Sequence, residues 1–270
     1  MPGALALLML GACPAPPGPT RPPPLRPHAK TTRFVTPEAY RQFILGELAA
    51  GQGDAREALS HLRLALAEDP DSPYLRLRIA ELLHARGNTR RALAHVRAAE
   101  RVAPTYAESF FLHGRLLASR RPRVSLGLLA RAIRLDPKDE RPYLWLAKVR
   151  LRLGDARGER AALGRLLKAQ PENVEALFGL ARARARGGDR RGACTLLRRI
   201  TVIRPFAVRP RLLLARLRVL QGKTGAAVQA LLLALVASAD DPVVARELFR
   251  LYRIQGRDRQ ARDLVKLMEV

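Results

Sequence analysis

The chain repeats itself every 34 residues from Ala39 onward, and few folds tolerate that regularity. Units begin at Ala39, Pro73, Ala107, Glu140, Val174, Val208 and Pro242, the third being one residue short. With each start as position 1, position 8 is Gly46, Ala80, Gly114, Ala147, Ala181, Ala215 and Phe249. Position 20 is Ala in five units, with Ser125 in the third and Glu159 in the fourth. Position 27 is Ala65, Ala99, Ala132, Leu166, Ile200, Ala234 and Met268, and position 32 is Pro70, Pro104, Pro137, Pro171 and Pro205 in the first five units. Small residues at positions 8, 20 and 27 let two antiparallel helices approach closely, and apolar residues at positions 7, 24 and 28 fill the space between layers. Glycine near position 15 (Gly53, Gly87, Gly154, Gly188, Gly222, Gly256) ends the first helix, because it enters the left-handed cap conformation at little cost. Asp54, Asn88, Asp155, Asp189 and Thr224 then stand at or near the start of the second helix, where an N-cap oxygen is wanted, and the later proline stops that helix.

This pattern resembles the tetratricopeptide repeat family over residues 39–270. The resemblance implies an all-α fold, a right-handed α-solenoid of about seven helix-turn-helix repeats. Some positions depart from the family pattern. The aromatic at position 4 is largely missing (Gln42, Arg76, Leu177, Arg211, Ala245), and Tyr252 is the one tyrosine at position 11. Arg121 and Glu159 make the third-to-fourth-unit region the least regular, so looser packing is expected there.

The resemblance further implies that first helices line a concave face, with positions 2, 5, 9, 12 and 13 pointing inward. Position 5 then gives an apolar row of Phe43, Leu77, Phe111, Leu144, Phe178 and Leu212, closed by Arg246. Position 9 is acidic in Glu47 and Glu81 and basic in Arg115, Lys148, Arg182, Arg216 and Arg250, with Arg152 and Arg186 at position 13. An apolar row beside a basic ladder suits a protein segment carrying apolar anchors and acidic groups, and arginine favours bidentate contacts to carboxylates. The competing reading is a solvated face in an arginine-rich chain.

Ahead of the repeats, residues 1–12 form a short apolar run ending in small residues, followed at once by Cys13. Leu10-Gly11-Ala12-Cys13 resembles the lipobox of bacterial lipoproteins, which implies cleavage of a signal peptide and lipidation of Cys13. No Lys or Arg precedes the run, which a start placed too far downstream would explain. The alternative is a disordered apolar terminus with an incidental cysteine. Residues 13–38 are proline-rich and cannot build helix, so they read as an extended linker reaching on the order of 70 Å. Residues 39–270 form the repeat domain.

The net charge of +25 would ordinarily suggest nucleic acid, yet nearly all the basic residues are arginine in a chain rich in Ala, Gly and Pro. A GC-rich genome gives that balance, so the charge is discounted as a nucleic-acid signal. No apolar run approaches the ~18–20 residues that span a bilayer. Cys13 and Cys194 form neither a disulfide framework nor a zinc site by spacing, and Cys194 reads as a buried helical thiol. His61, His84, His95 and His113 lack the ligand partners of a metal set, and no catalytic constellation stands out. The expectation is a non-enzymatic scaffold without cofactor or metal, anchored to the bacterial envelope through Cys13, on the outer membrane's periplasmic face. It is similar in build to the lipoproteins that assist type IV pilus and secretin assembly. The alternative is a soluble intracellular adaptor that meets acidic protein segments or nucleic acid.

Overall fold

The computed structural model describes residues 36–238 and 241–268. Cys13, the expected signal segment and the proline-rich stretch as far as residue 35 lie outside them. The described residues fold into seven helical hairpins. The first four are α1 (Pro37–Gly51) with α2 (Ala55–Glu68), α3 (Pro73–Ala85) with α4 (Thr89–Val102), α5 (Ala107–Leu117) with α6 (Pro122–Leu135), and α7 (Glu140–Arg152) with α8 (Ala156–Ala169). The last three are α9 (Val174–Arg186) with α10 (Arg190–Ile203), α11 (Val208–Val219) with α12 (Thr224–Ala237), and α13 (Pro242–Ile254) with α14 (Asp258–Met268).

Each turn between paired helices is built by its own residues. Gly53 and its counterparts adopt φ between 68° and 86°, the left-handed region where a Cβ is penalised. At Asp54, Asn88, Asp155 and Asp189 the next residue caps the following helix with its side chain: the Asp54 carboxylate accepts from the Arg56 and Glu57 amides at 2.9 Å, and Asp189 accepts from Gly192 at 2.8 Å. The expected cap at Thr224 does not form, because Thr224 is already the first residue of α12 and Lys223 before it makes no side-chain cap bond. The third hairpin lacks that glycine. There the Arg121 amide donates to the Leu117 carbonyl at 2.8 Å, and Pro122 opens α6, where a missing N–H leaves nothing unsatisfied.

Close approach within the first and third hairpins rests on position 8 meeting position 24. A Cβ on Gly46 would lie 3.0 Å from Leu62 Cγ, and one on Gly114 would lie 2.9 Å from Leu129 Cγ. Looser packing does not follow the irregular third unit. Helix α5 is buried from Ser109 to Leu117 except at Arg115. Ser125, at the position usually held by alanine, donates its hydroxyl to the Gly114 carbonyl at 2.7 Å, so the substitution adds a bond within the hairpin.

Helices pack on their sequence neighbours, and first helices of successive hairpins also meet, α3 against α5 and α5 against α7. Second helices make no comparable contact with each other. The stack therefore curves toward its first helices, which form the inner face, while second helices form the outer face. Together these observations define an all-α solenoid of seven helix-turn-helix repeats.

Candidate partner-binding groove

The inner face divides by how its charges are spent. In the first three hairpins the carboxylates and guanidiniums satisfy each other. Arg78 grips Glu47 through two bonds of 2.9 and 2.8 Å and reaches Glu81 at 2.8 Å, while Arg115 reaches the other Glu81 oxygen at 3.0 Å. This chain of alternating charge crosses α1, α3 and α5. Burial would lower the Arg78 pKa, but the facing Glu47 and Glu81 outweigh it and hold the group charged. One step on, Arg141 clamps Glu108 across the hairpins and Asp139 at its own helix start. Burial pushes the Glu108 carboxyl upward despite Arg141, since desolvation penalises the charged form.

The expected apolar row behaves in two ways. Leu77 and Phe111 are only 1% and 2% exposed and belong to the core. Phe111 lies under two guanidiniums, with Arg141 4.8 Å and Arg115 5.7 Å from its ring centroid. Phe43, Leu144, Phe178 and Leu212 are half-buried, which leaves part of each side chain on the surface. Phe43 meets Tyr74 edge to face at 5.4 Å.

The basic ladder is likewise not uniform. Arg115 is tied to Glu81, and Arg216 donates to Glu247 at 3.1 and 2.7 Å. Arg186 reaches across to Glu159 at 2.6 Å, and Arg152 donates to Ser119 at 3.1 Å. Lys148 lies 4.4 Å above the Trp145 ring with no carboxylate partner among the described residues. Arg182 and Arg250 have no ion pair among the described residues, and both are exposed. The unneutralised cations of the inner face thus fall in the later units, beside the half-buried Leu144, Phe178 and Leu212. The residues that sequence reasoning missed are Arg78 and Glu247, both at position 6. Arg78 carried a readable signal, its spacing of three from Glu81 on one helix face; Glu247 pairs across hairpins and carried none.

The histidines sit apart from one another in function. His61 shares a hydrogen bond of 2.7 Å with Gln42, His84 one of 3.2 Å with Thr89, and His113 one of 2.9 Å with Glu100. Among the described residues no group of three or more His, Cys, Asp or Glu is placed to hold a metal ion. Cys194 is a free, buried thiol.

Tetratricopeptide repeat models match residues 49–109 and 146–208. No curated protein shows significant sequence similarity to the chain. Among solved structures, PilW, a widely conserved type IV pilus biogenesis factor, superposes with a TM-score of 0.64 at 22% identity, over 78% of this chain and 98% of its own. PilF of Pseudomonas aeruginosa gives 0.62 at 17%, over 77% and 96%. YrrB, a TPR protein with an unusual peptide-binding site, gives 0.53 at 16%, over 69% and 96%. The chain therefore carries tetratricopeptide repeats and has the build of a protein-interaction scaffold.

Proposed function

We propose that this chain is a membrane-anchored scaffold of the bacterial cell envelope that captures a protein segment in the later part of its groove and assists assembly of an envelope complex. The observation that carries the binding reading is the pair Lys148 and Arg182. Both cations stand on the inner face without a carboxylate partner, beside Leu144, Phe178 and Leu212. A segment with apolar anchors and acidic groups would bury those side chains and supply the missing carboxylates. The likeness to PilW and PilF supports a process such as type IV pilus or secretin assembly. Leu10-Gly11-Ala12-Cys13 supports an anchor at Cys13 and, with those likenesses, a place on the outer membrane's periplasmic face.

The groove is tested by reversing Lys148→Glu and Arg182→Glu together and comparing capture from an envelope extract with wild type. Capture should fall by about tenfold or more and weaken with added salt. Arg115→Gln, whose side chain already serves Glu81, should change it little. Unchanged capture by the double reversal would mean a solvated face. The anchor is tested separately by labelling with a palmitate analogue: label lost in Cys13→Ala supports it, and an unlabelled wild type overturns it.

A further inference from the structure

The outer face carries a feature that the groove does not explain. Helix α12, the second helix of the sixth hairpin, contains no charged residue of either sign. Its outward stripe is Gln229, Leu232, Leu233 and Val236, with Leu233 52% and Val236 77% exposed. A helix apolar all round is normally buried; this one lies at the surface of the described unit. The apolar stripe continues onto the preceding outer helix. Val202 of α10 is 79% exposed and lies 34 residues before Val236, at the same repeat position of the neighbouring unit. Phe206, in the turn leaving α10, adds an exposed ring at that end.

Cations flank this patch on both sides. Helix α10 presents Arg198 and Arg199, and α14 presents Arg262 and Lys266, all exposed and none ion-paired among the described residues. Helices α10 and α12 contain no acidic residue. On α14, Asp258 is held by Arg253, which leaves Asp263 as the opposing charge among the described residues.

We infer that the outer face of α10, α12 and α14 docks on an anionic phospholipid bilayer. Three observations favour that occupant over a protein. The face lies on the outside of the solenoid's curve, so it can meet a flat surface but cannot enclose a segment. Its exposed apolar side chains on α12 are Leu and Val, which are under-represented among protein-interface anchors, and the stripe holds no tyrosine or tryptophan. An apolar stripe that enters the headgroup boundary, bordered by arginines that reach lipid phosphates, is the pattern of interfacial helices. The inference stands apart from the groove and from lipidation: it concerns the opposite face and needs no acyl chain.

The test uses the full chain as Cys13→Ser, so that acylation cannot contribute. The protein is sedimented with vesicles of phosphatidylcholine alone or of phosphatidylcholine containing phosphatidylglycerol. Binding is expected to the mixed vesicles, absent from the neutral ones and reduced by salt. Leu233→Asp with Val236→Asp should abolish it, and Arg198→Glu with Arg199→Glu should lower it by about tenfold or more. All four positions are exposed, so circular dichroism should remain that of wild type. Lys148→Glu with Arg182→Glu, on the inner face, should retain vesicle binding and so controls for net charge. Absence of binding by Cys13→Ser, or equal binding by the α12 double variant, overturns the inference. So does a concentration-dependent dimer without vesicle binding that the α12 variant dissolves, since a second copy would then cover the stripe.

Discussion

Glu159 occupies position 20 of the fourth hairpin, where the close approach of two helices ordinarily demands alanine. The residue is 5% exposed, and Arg186, the last residue of α9, donates to both carboxylate oxygens at 2.6 Å. The sequence marked Glu159 as irregular, but Arg186 read as a groove cation, because a partner 27 residues away in the next hairpin leaves no local pattern. Arg186→Ala should cost about 1–3 kcal/mol in urea unfolding, since it strands a buried charge. Glu159→Ala should lie within about 1 kcal/mol of wild type or above it, because it restores the small residue and removes the charge together. A loss in Arg186→Ala no larger than an ordinary surface change would show that the pair is solvated. Asp155 makes a second residue-scale case. The Gly158 amide, and then the Arg150 guanidinium, hold its carboxyl below the usual range. A depressed folded value means that the stabilisation is present above the unfolded carboxylate pKa of about 3.9 and is lost as pH falls through the lower folded one. Asp155→Asn keeps a cap oxygen but gives up the charge. It should therefore melt below wild type near neutrality and coincide with it at the acid end of a pH series.

Elements are where the sequence was most readable. Turn glycines, cap oxygens and small residues at fixed positions all act within one hairpin, so their spacing survives in the linear chain. One local device is less plain in the linear chain. In the fourth and fifth hairpins, position 11 is Arg150 or Arg184, position 16 is the capping Asp155 or Asp189, and position 19 is Gly158 or Gly192. Arg150 pairs with Asp155 at 2.5 Å and Arg184 with Asp189 at 3.6 Å, each carboxylate also accepting the glycine amide. The arginine stands where the family places tyrosine, and its reach back over the turn occupies the space that a side chain at position 19 would need. A Cβ on Gly158 would collide with the Asp155 carboxylate and lie 2.8 Å from Arg150 Cδ. Gly164 of the same helix would meet nothing within 4 Å. Gly164→Ala should therefore stabilise by about 0.5–1 kcal/mol, the ordinary gain for a helix interior. Gly158→Ala should forfeit that gain and lose about 0.5–1 kcal/mol through the displaced cap. Equal stabilisation by both, in paired thermal melts, would mean that the turn adapts without cost.

At the scale of the whole repeat unit, stability should follow neighbours rather than any central core. Helices contact those next to them in sequence, and the buried clusters run along the stack, so each hairpin gains or loses order with the hairpins beside it. The third hairpin, irregular in sequence, has the stronger position. Its first helix is buried along nearly its whole length and packs against α3, α4, α6 and α7, whereas α14 packs chiefly on α13. Composition hides this, because Arg121 and the missing turn glycine signal weakness locally while the burial of Phe110, Phe111 and Leu112 comes from the hairpins on either side. Native-state hydrogen exchange should then rank the helices by coverage. Amides of α5 and α6 should open only with free energies near the global value, and those of α14 should exchange first, by local fraying. A low urea concentration should release α13 and α14 before α5. Protection that is uniform from α1 to α14 would show instead that the seven hairpins unfold as one cooperative body, and that coverage by neighbouring hairpins sets no gradient.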